Sequence, residues 1–160
     1  MKRWKNLVVG IISTVLAVSV GFLLWQHNQP RQAALESLSK LASTLADSHN
    51  SDLLDSILMP VAVRSQTPAE QQEFLVKALN DEISPDGVLA LKRHAAFGSL
   101  KEIFPDKASA WCEQANVNPD NCVAFKMERA GIRAEVVLVR EGNAYRVLRC
   151  NNVKQMAENS

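Results

Sequence analysis

The stretch CVAFKMERAGIRAEVVLVREGNAYRVLRC, residues 122–150, carries the clearest structural signal in this chain. Apolar and polar residues alternate along it with the period of two that a half-buried strand requires. Ala130-Gly131 and Gly142-Asn143 interrupt the alternation where two-residue hairpin loops fit. Cys122 to Arg129, Ile132 to Glu141 and Ala144 to Cys150 therefore read as a three-stranded antiparallel meander.

Residues paired across a ladder point to the same face, so the loops also set a testable register. The first loop puts Met127 opposite Ala134, Phe125 opposite Val136 and Val123 opposite Leu138. The second puts Leu138 opposite Val147 and Arg140 opposite Tyr145. One face thus collects Val123, Phe125, Met127, Ala134, Val136, Leu138 and Val147 as a core. On the reverse face, Glu128 meets Arg133 and Lys126 meets Glu135, opposite charges each worth a few tenths of a kcal/mol. Ala124, Val137, Val139 and Leu148 also fall there. They are apolar enough to need cover from a second layer, a partner or a ligand, and they form the candidate partner or ligand surface.

Upstream of the meander the pattern is helical. Leu35, Leu38, Leu41 and Leu45 make one stripe between Arg31 and Asp47, and with about two heptads it favours folding back over pairing with a partner's helix. Ser51 heads a short helix carrying Leu53, Leu54, Ile57 and Leu58 that ends at Pro60. Thr67-Pro68 with Glu70, and Ser99 with Glu102, have the form of capping boxes, Ser84-Pro85 repeats the start signal, and Asp106 is placed to cap a further helix through Trp111. The expected fold class is α+β: an N-terminal transmembrane helix, then several short helices packed on a C-terminal three-stranded antiparallel meander.

The transmembrane reading comes from Leu7 to Trp25, an apolar run without a charge. At about 1.5 Å per residue it spans a hydrocarbon core of about 30 Å. Lys2, Arg3 and Lys5 precede it and Arg31 is the next basic residue, which keeps the amino terminus cytoplasmic. A cleaved signal peptide shares the basic start, but the run exceeds the usual h-region and no A-x-A-like site follows it. Gly10, Thr14, Ala17 and Gly21 place small side chains along one helical face, a candidate packing surface for a second helix. The expected organisation is a cytoplasmic tail at 1–5, a transmembrane signal anchor at 6–26, a juxtamembrane helical stem at 27–50 and an extracytoplasmic α+β domain at 51–160. That arrangement implies a single-pass protein of the inner (cytoplasmic) membrane with its C-terminal domain periplasmic or extracellular.

Outside the anchor, 15 basic residues stand against 17 acidic ones. This balance lacks the cationic excess of a nucleic-acid binder. All three cysteines, Cys112, Cys122 and Cys150, lie in the exported part, where thiols oxidise. The register sets Cys150, beside Glu135 and Lys126, roughly 13 Å along the strands from Cys122. Nine residues containing a turn separate Cys112 from Cys122, so a Cys112–Cys122 disulfide is expected, stabilising by about 2 to 3 kcal/mol and leaving Cys150 as a thiol.

Motifs for chemistry are sparse. There is no C-x-x-C, G-x-S-x-G, H-E-x-x-H or phosphate-binding glycine loop, and His27, His49 and His94 are scattered, so neither a metal nor a cofactor is expected. Lys92, Arg93 and His94 form a basic helix end that complements the dipole. Three functions follow in descending order. The first is a binding or scaffolding module for envelope protein partners or a second copy of itself, without catalysis. The second is a small-molecule sensor or carrier with a pocket between helices and sheet. The third is a motif-poor hydrolase using Cys150 with His94 as its base and Asp86 or Glu102 orienting the ring.

Overall fold

The computed structural model describes residues 18–19, 28–47, 53–59 and 61–158. The chain divides into two compact units, Met1–Gln32 and Ala33–Ser160. In the first, the described residues 18–19 and 28–32 are helical. The predicted tail and span, 1–26, lie outside the described residues save for Val18 and Ser19, as do Gly10, Thr14, Ala17 and Gly21. Among the described residues no helix is long and apolar enough to cross a membrane.

The second unit mixes helix and sheet. Residues 33–46 are helical (α1), followed by α2 (Leu53–Ser56), α3 (Val61–Arg64), α4 (Pro68–Leu79) and α5 (Pro85–His94). Then come β1 (Ala96–Ser99), α6 (Leu100–Ile103), α7 (Ala108–Ala115), a 3-10 turn at Pro119–Asn121, β2 (Cys122–Arg129), β3 (Ile132–Glu141), β4 (Ala144–Asn151) and α8 (Gln155–Glu158).

The sheet has four antiparallel strands in the order β1-β2-β3-β4, not three. β1 was missed because four residues containing a glycine offer too little alternation to read. Its pairing comes from tertiary contact: Phe97 lies opposite Phe125 with ring centroids 4.8 Å apart, the kind of cross-strand aromatic pair that holds an edge strand in place.

The first hairpin keeps the expected register along its whole length, from Cys122 opposite Val139 to Arg129 opposite Ile132. Ala130 and Gly131 take φ of 50° and 79°, the left-handed values of a two-residue hairpin loop. The second hairpin starts as expected, with Arg140 opposite Tyr145 and Leu138 opposite Val147. It then shifts between Val137 and Leu138, so Val137 faces Arg149 and Val136 faces Cys150. This bulge corrects the expected position of Cys150 beside Glu135: the thiol turns to the core instead.

The start signals at Thr67, Ser84 and Ser99 work as read. Thr67 and Ser99 each form both halves of a capping box, with Glu70 and Glu102, and the Ser84 hydroxyl accepts the Gly87 N–H. Asp106 does not cap α7: the preceding turn closes through Phe104 O, which accepts from the N–H of both Lys107 and Ala108, and the helix begins at Ala108. The helix after residue 52 is shorter than expected, because Ile57 leaves it to form a parallel bridge with Val147. Arg146 fixes that exit by donating to the carbonyls of Asp55 and Leu54.

Helices cover both faces of the sheet. The front core joins Leu35, Leu38 and Leu41 of α1, Leu53 of α2, Leu75 and Leu79 of α4 and Leu91 of α5 to Phe125, Val136, Leu138 and Val147. The leucine stripe thus folds back into its own unit. Each large aliphatic side chain buried this way contributes about 1.5–3 kcal/mol of transfer free energy. Gly87 lets α5 close on the segment before α8, since a Cβ there would meet the Val153 carbonyl oxygen.

Behind the sheet, Leu100, Phe104, Ala108 and Cys112 from α6 and α7 pack on Ala124, Val137 and Val139. The second layer that the reverse face required is therefore intramolecular. Ala124, Val137 and Val139 keep 0%, 0% and 5% of their surface and cannot form a partner or ligand surface. Leu148 alone of the four is only partly buried.

Candidate functional site

Leu148 opens onto a groove of about 210 Å³ at the edge of the rear layer. Its lining comes from four separate places: Leu58 and Met59 after α2, Arg64 of α3, Trp111, Gln114 and Ala115 of α7, and Leu148 and Arg149 of β4. The segment bearing Leu58 and Met59 is pinned beside the sheet by the Leu58 N–H donating to Val147 O at 2.9 Å. The groove lies between helices and sheet.

The bulge in β4 creates its basic side. Without that extra residue Arg149 would pair with Val136 and point into the front core, where an unpaired guanidinium is very costly. With it, Arg149 pairs with Val137 and emerges on the rear face beside Leu148. Bulges characteristically re-aim one side chain in this manner. The Arg149 guanidinium then stacks 4.9 Å from the Trp111 ring centroid, and its Nε lies 3.9 Å from Glu135 Oε2.

Glu135 is the only buried charged residue among those described, and it organises the cations around it. Lys107 Nζ donates to its Oε1 at 3.2 Å. The expected Lys126–Glu135 pair keeps its register, but the carboxylate turns to Lys107 and Arg149, and Lys126 lies 5.8 Å from the Phe104 ring centroid. Lys107 also sits 5.2 Å from the Trp111 centroid, so the indole is flanked by two cations. Phe104 meets the same indole edge-on at 5.3 Å, which fixes its plane. Arg64, also in the lining, donates from Nε to Met59 O at 2.9 Å. The Glu128–Arg133 pair expected across the first hairpin forms at 3.2 Å, away from this site.

Cys112 and Cys122 are buried thiols with Sγ atoms 3.8 Å apart, joining α7 to the start of β2. Burial, and secondarily the neighbouring Cys112, push the Cys122 thiol up to about 12. Cys150 is buried in the front core, and its thiol is likewise pushed up to about 12, by burial first and Glu82 second. At neutral pH its thiolate is then on the order of one part in 10⁵, far below what nucleophilic catalysis uses.

His94 and Asp86 are on α5, where with Arg93, Leu89 and Arg129 they line a separate open depression of about 450 Å³. Cys150 is not part of that lining. Lys92, Arg93 and His94 form the last turn of α5. Among the described residues no group of three or more His, Cys, Asp or Glu side chains is placed to hold a metal; His27 and His49 lie outside them.

Sequence reasoning found Leu148 but missed Arg64, Trp111 and Arg149. A tryptophan at position 111 in a short helix was the one available signal; nothing local announces the bulge that turns Arg149. No family model, curated protein or solved structure matches this chain.

Proposed function

We propose that this protein is a single-pass, membrane-anchored binding module whose extracytoplasmic domain engages a protein partner of the cell envelope without catalysis. The observation that carries the binding role is the groove between α7, the Leu58–Met59 segment and β4: an apolar floor beside two arginines, assembled from four distant parts of the chain. Apolar concavities with a few convergent polar groups are where proteins place ligands. Supporting the anchor is the uncharged run from Leu7 to Trp25 with its basic prelude. On this reading residues 1–5 are cytoplasmic, 6–26 span the inner membrane, 27–50 lead away from it and 51–160 lie in the periplasm or its equivalent.

The same compartment makes Cys112 and Cys122 a disulfide. Their thiols give up two protons and two electrons to a disulfide-bearing oxidant, and Cys150 stays a thiol within the front core. The 3.8 Å approach of the two sulfurs supports the pairing.

A small-molecule carrier is the second reading, favoured by the position of the same groove between helices and sheet. A photo-crosslinking side chain at Gln114, on the groove wall, separates the two in detergent-solubilised membranes. The binding reading expects one discrete protein adduct from Gln114 and none from Lys77 on α4. A retained small molecule without an adduct would favour the carrier, and full recovery of the chain in the cytosolic fraction would defeat the anchored arrangement.

A further inference from the structure

Resting on that binding role, we propose that the groove takes the carboxyl-terminal residue of a partner polypeptide, its apolar side chain on the floor and its carboxylate beside Arg64 and Arg149. Charge, size and preorganisation point to this occupant.

Charge comes first. The lining carries two guanidiniums and no acidic residue. The adjoining carboxylate, Glu135, is already shared by Lys107 and Arg149. An apolar ligand carrying negative charge complements this set, and a planar carboxylate matches the guanidinium fork.

Size narrows the choice. About 210 Å³ is small against the roughly 300–1,000 Å³ of pockets for drug-sized ligands, and suits a single large side chain. The last residue of a polypeptide presents one side chain and one carboxylate from the same Cα, which satisfies floor and arginines within that volume. A long acyl chain would project most of its methylenes into water.

Preorganisation completes the case. Trp111 and Glu135 hold Arg149, and Met59 O holds Arg64, so little side-chain entropy remains to be lost when a carboxylate arrives. Leu58, Met59, Trp111 and Leu148 supply apolar contact.

The test uses the full-length chain in detergent and labelled hexapeptides carrying each pair of apolar residues at the last two positions. Each peptide is made as a free acid and as a terminal amide, with binding read by fluorescence anisotropy. The best acids should bind at least tenfold more tightly than their amides. Arg64→Gln should cut that ratio below threefold while the thermal melting curve stays that of the parent; Arg149→Gln should cut it as far with the circular dichroism spectrum of the parent retained, at a lower melting temperature because the buried Glu135 loses a partner. Equal binding of acids and amides would overturn the carboxylate assignment yet leave a peptide-binding groove intact. Displacement of the best acid by decanoate at lower concentration than by unlabelled peptide would overturn it in favour of a small amphiphile. Absence of peptide binding overturns it as well, and the Gln114 adduct then decides separately whether the groove binds protein at all.

Discussion

The front of the sheet is closed by aliphatic side chains from α1, α2, α4 and α5, whereas the rear holds two thiols, Phe104 and Trp111, and a buried carboxylate under α6 and α7. Both faces belong to the same strands and share one hydrogen-bonded ladder. What separates them is the material available for cover. Helices with leucines on one side can seal the front completely, and the rear layer, built from a four-residue and an eight-residue helix, stops short of the β4 edge. The uncovered corner is the groove. The front face is thus buried under aliphatic cover, while the rear keeps its own buried cluster and leaves the groove open at its edge.

The strongest way to break this contrast is to remove volume from each face. Leu38, fully buried in the front core, should cost about 3 to 5 kcal/mol of unfolding free energy as Leu38→Ala, because the cavity it leaves cannot collapse. Leu148→Ala, at the groove, should cost no more than about 1 kcal/mol, since its site is already open on one side. Denaturant melts showing equal losses for the two variants would erase the distinction between the faces.

Next in size is the proposed staple. Protein isolated from an oxidising compartment should lose about 2 to 3 kcal/mol on reduction, the chain-entropy value for a loop of this length. Cys112→Ala should show no such dependence on reductant. Alkylation and mass measurement under non-reducing conditions check the chemistry directly: one labelled thiol, Cys150, is expected in the unfolded protein, and three would remove the staple.

The last effect, the smallest of the three up to pH 10, concerns the thiol of the front core. Its folded-state value of about 12 lies above its ordinary 9.0, so folding favours the protonated form. The stabilisation is fully present below pH 9 and is lost as pH rises through 12. At pH 10, one unit above the ordinary value, the loss is between about 1 and 2 kcal/mol, growing to about 4 kcal/mol by pH 12. Cys150→Ala should therefore flatten the decline in stability between pH 9 and 12 relative to the parent. Parallel declines would place this thiol in contact with solvent and weaken the picture of a sealed front.

Local rules govern the first hairpin and the capped helix starts. The alternation in 122–150 gave all eight pairs of the first hairpin, because a two-residue loop leaves only one register that keeps Phe125, Met127 and Val136 on the same side. The capping boxes at Thr67 and Ser99 were legible for the same reason, a side chain and a backbone N–H three residues apart. The pattern also exposed a need: Ala124, Val137 and Val139 demanded cover, though not what would supply it.

The apolar face of the first hairpin, the two hairpin loops and the helix starts at Thr67, Ser84 and Ser99 were properties of the amino-acid order alone, since each depends on neighbours a few residues apart. The fourth strand, the bulge at Leu148 and the groove arose only from tertiary structure. β1 exists because Phe97 finds Phe125, and Arg149 leaves the core because α7 offers Trp111 and a carboxylate on β3 receives its charge. Contacts of that range set energies that no short window of sequence contains.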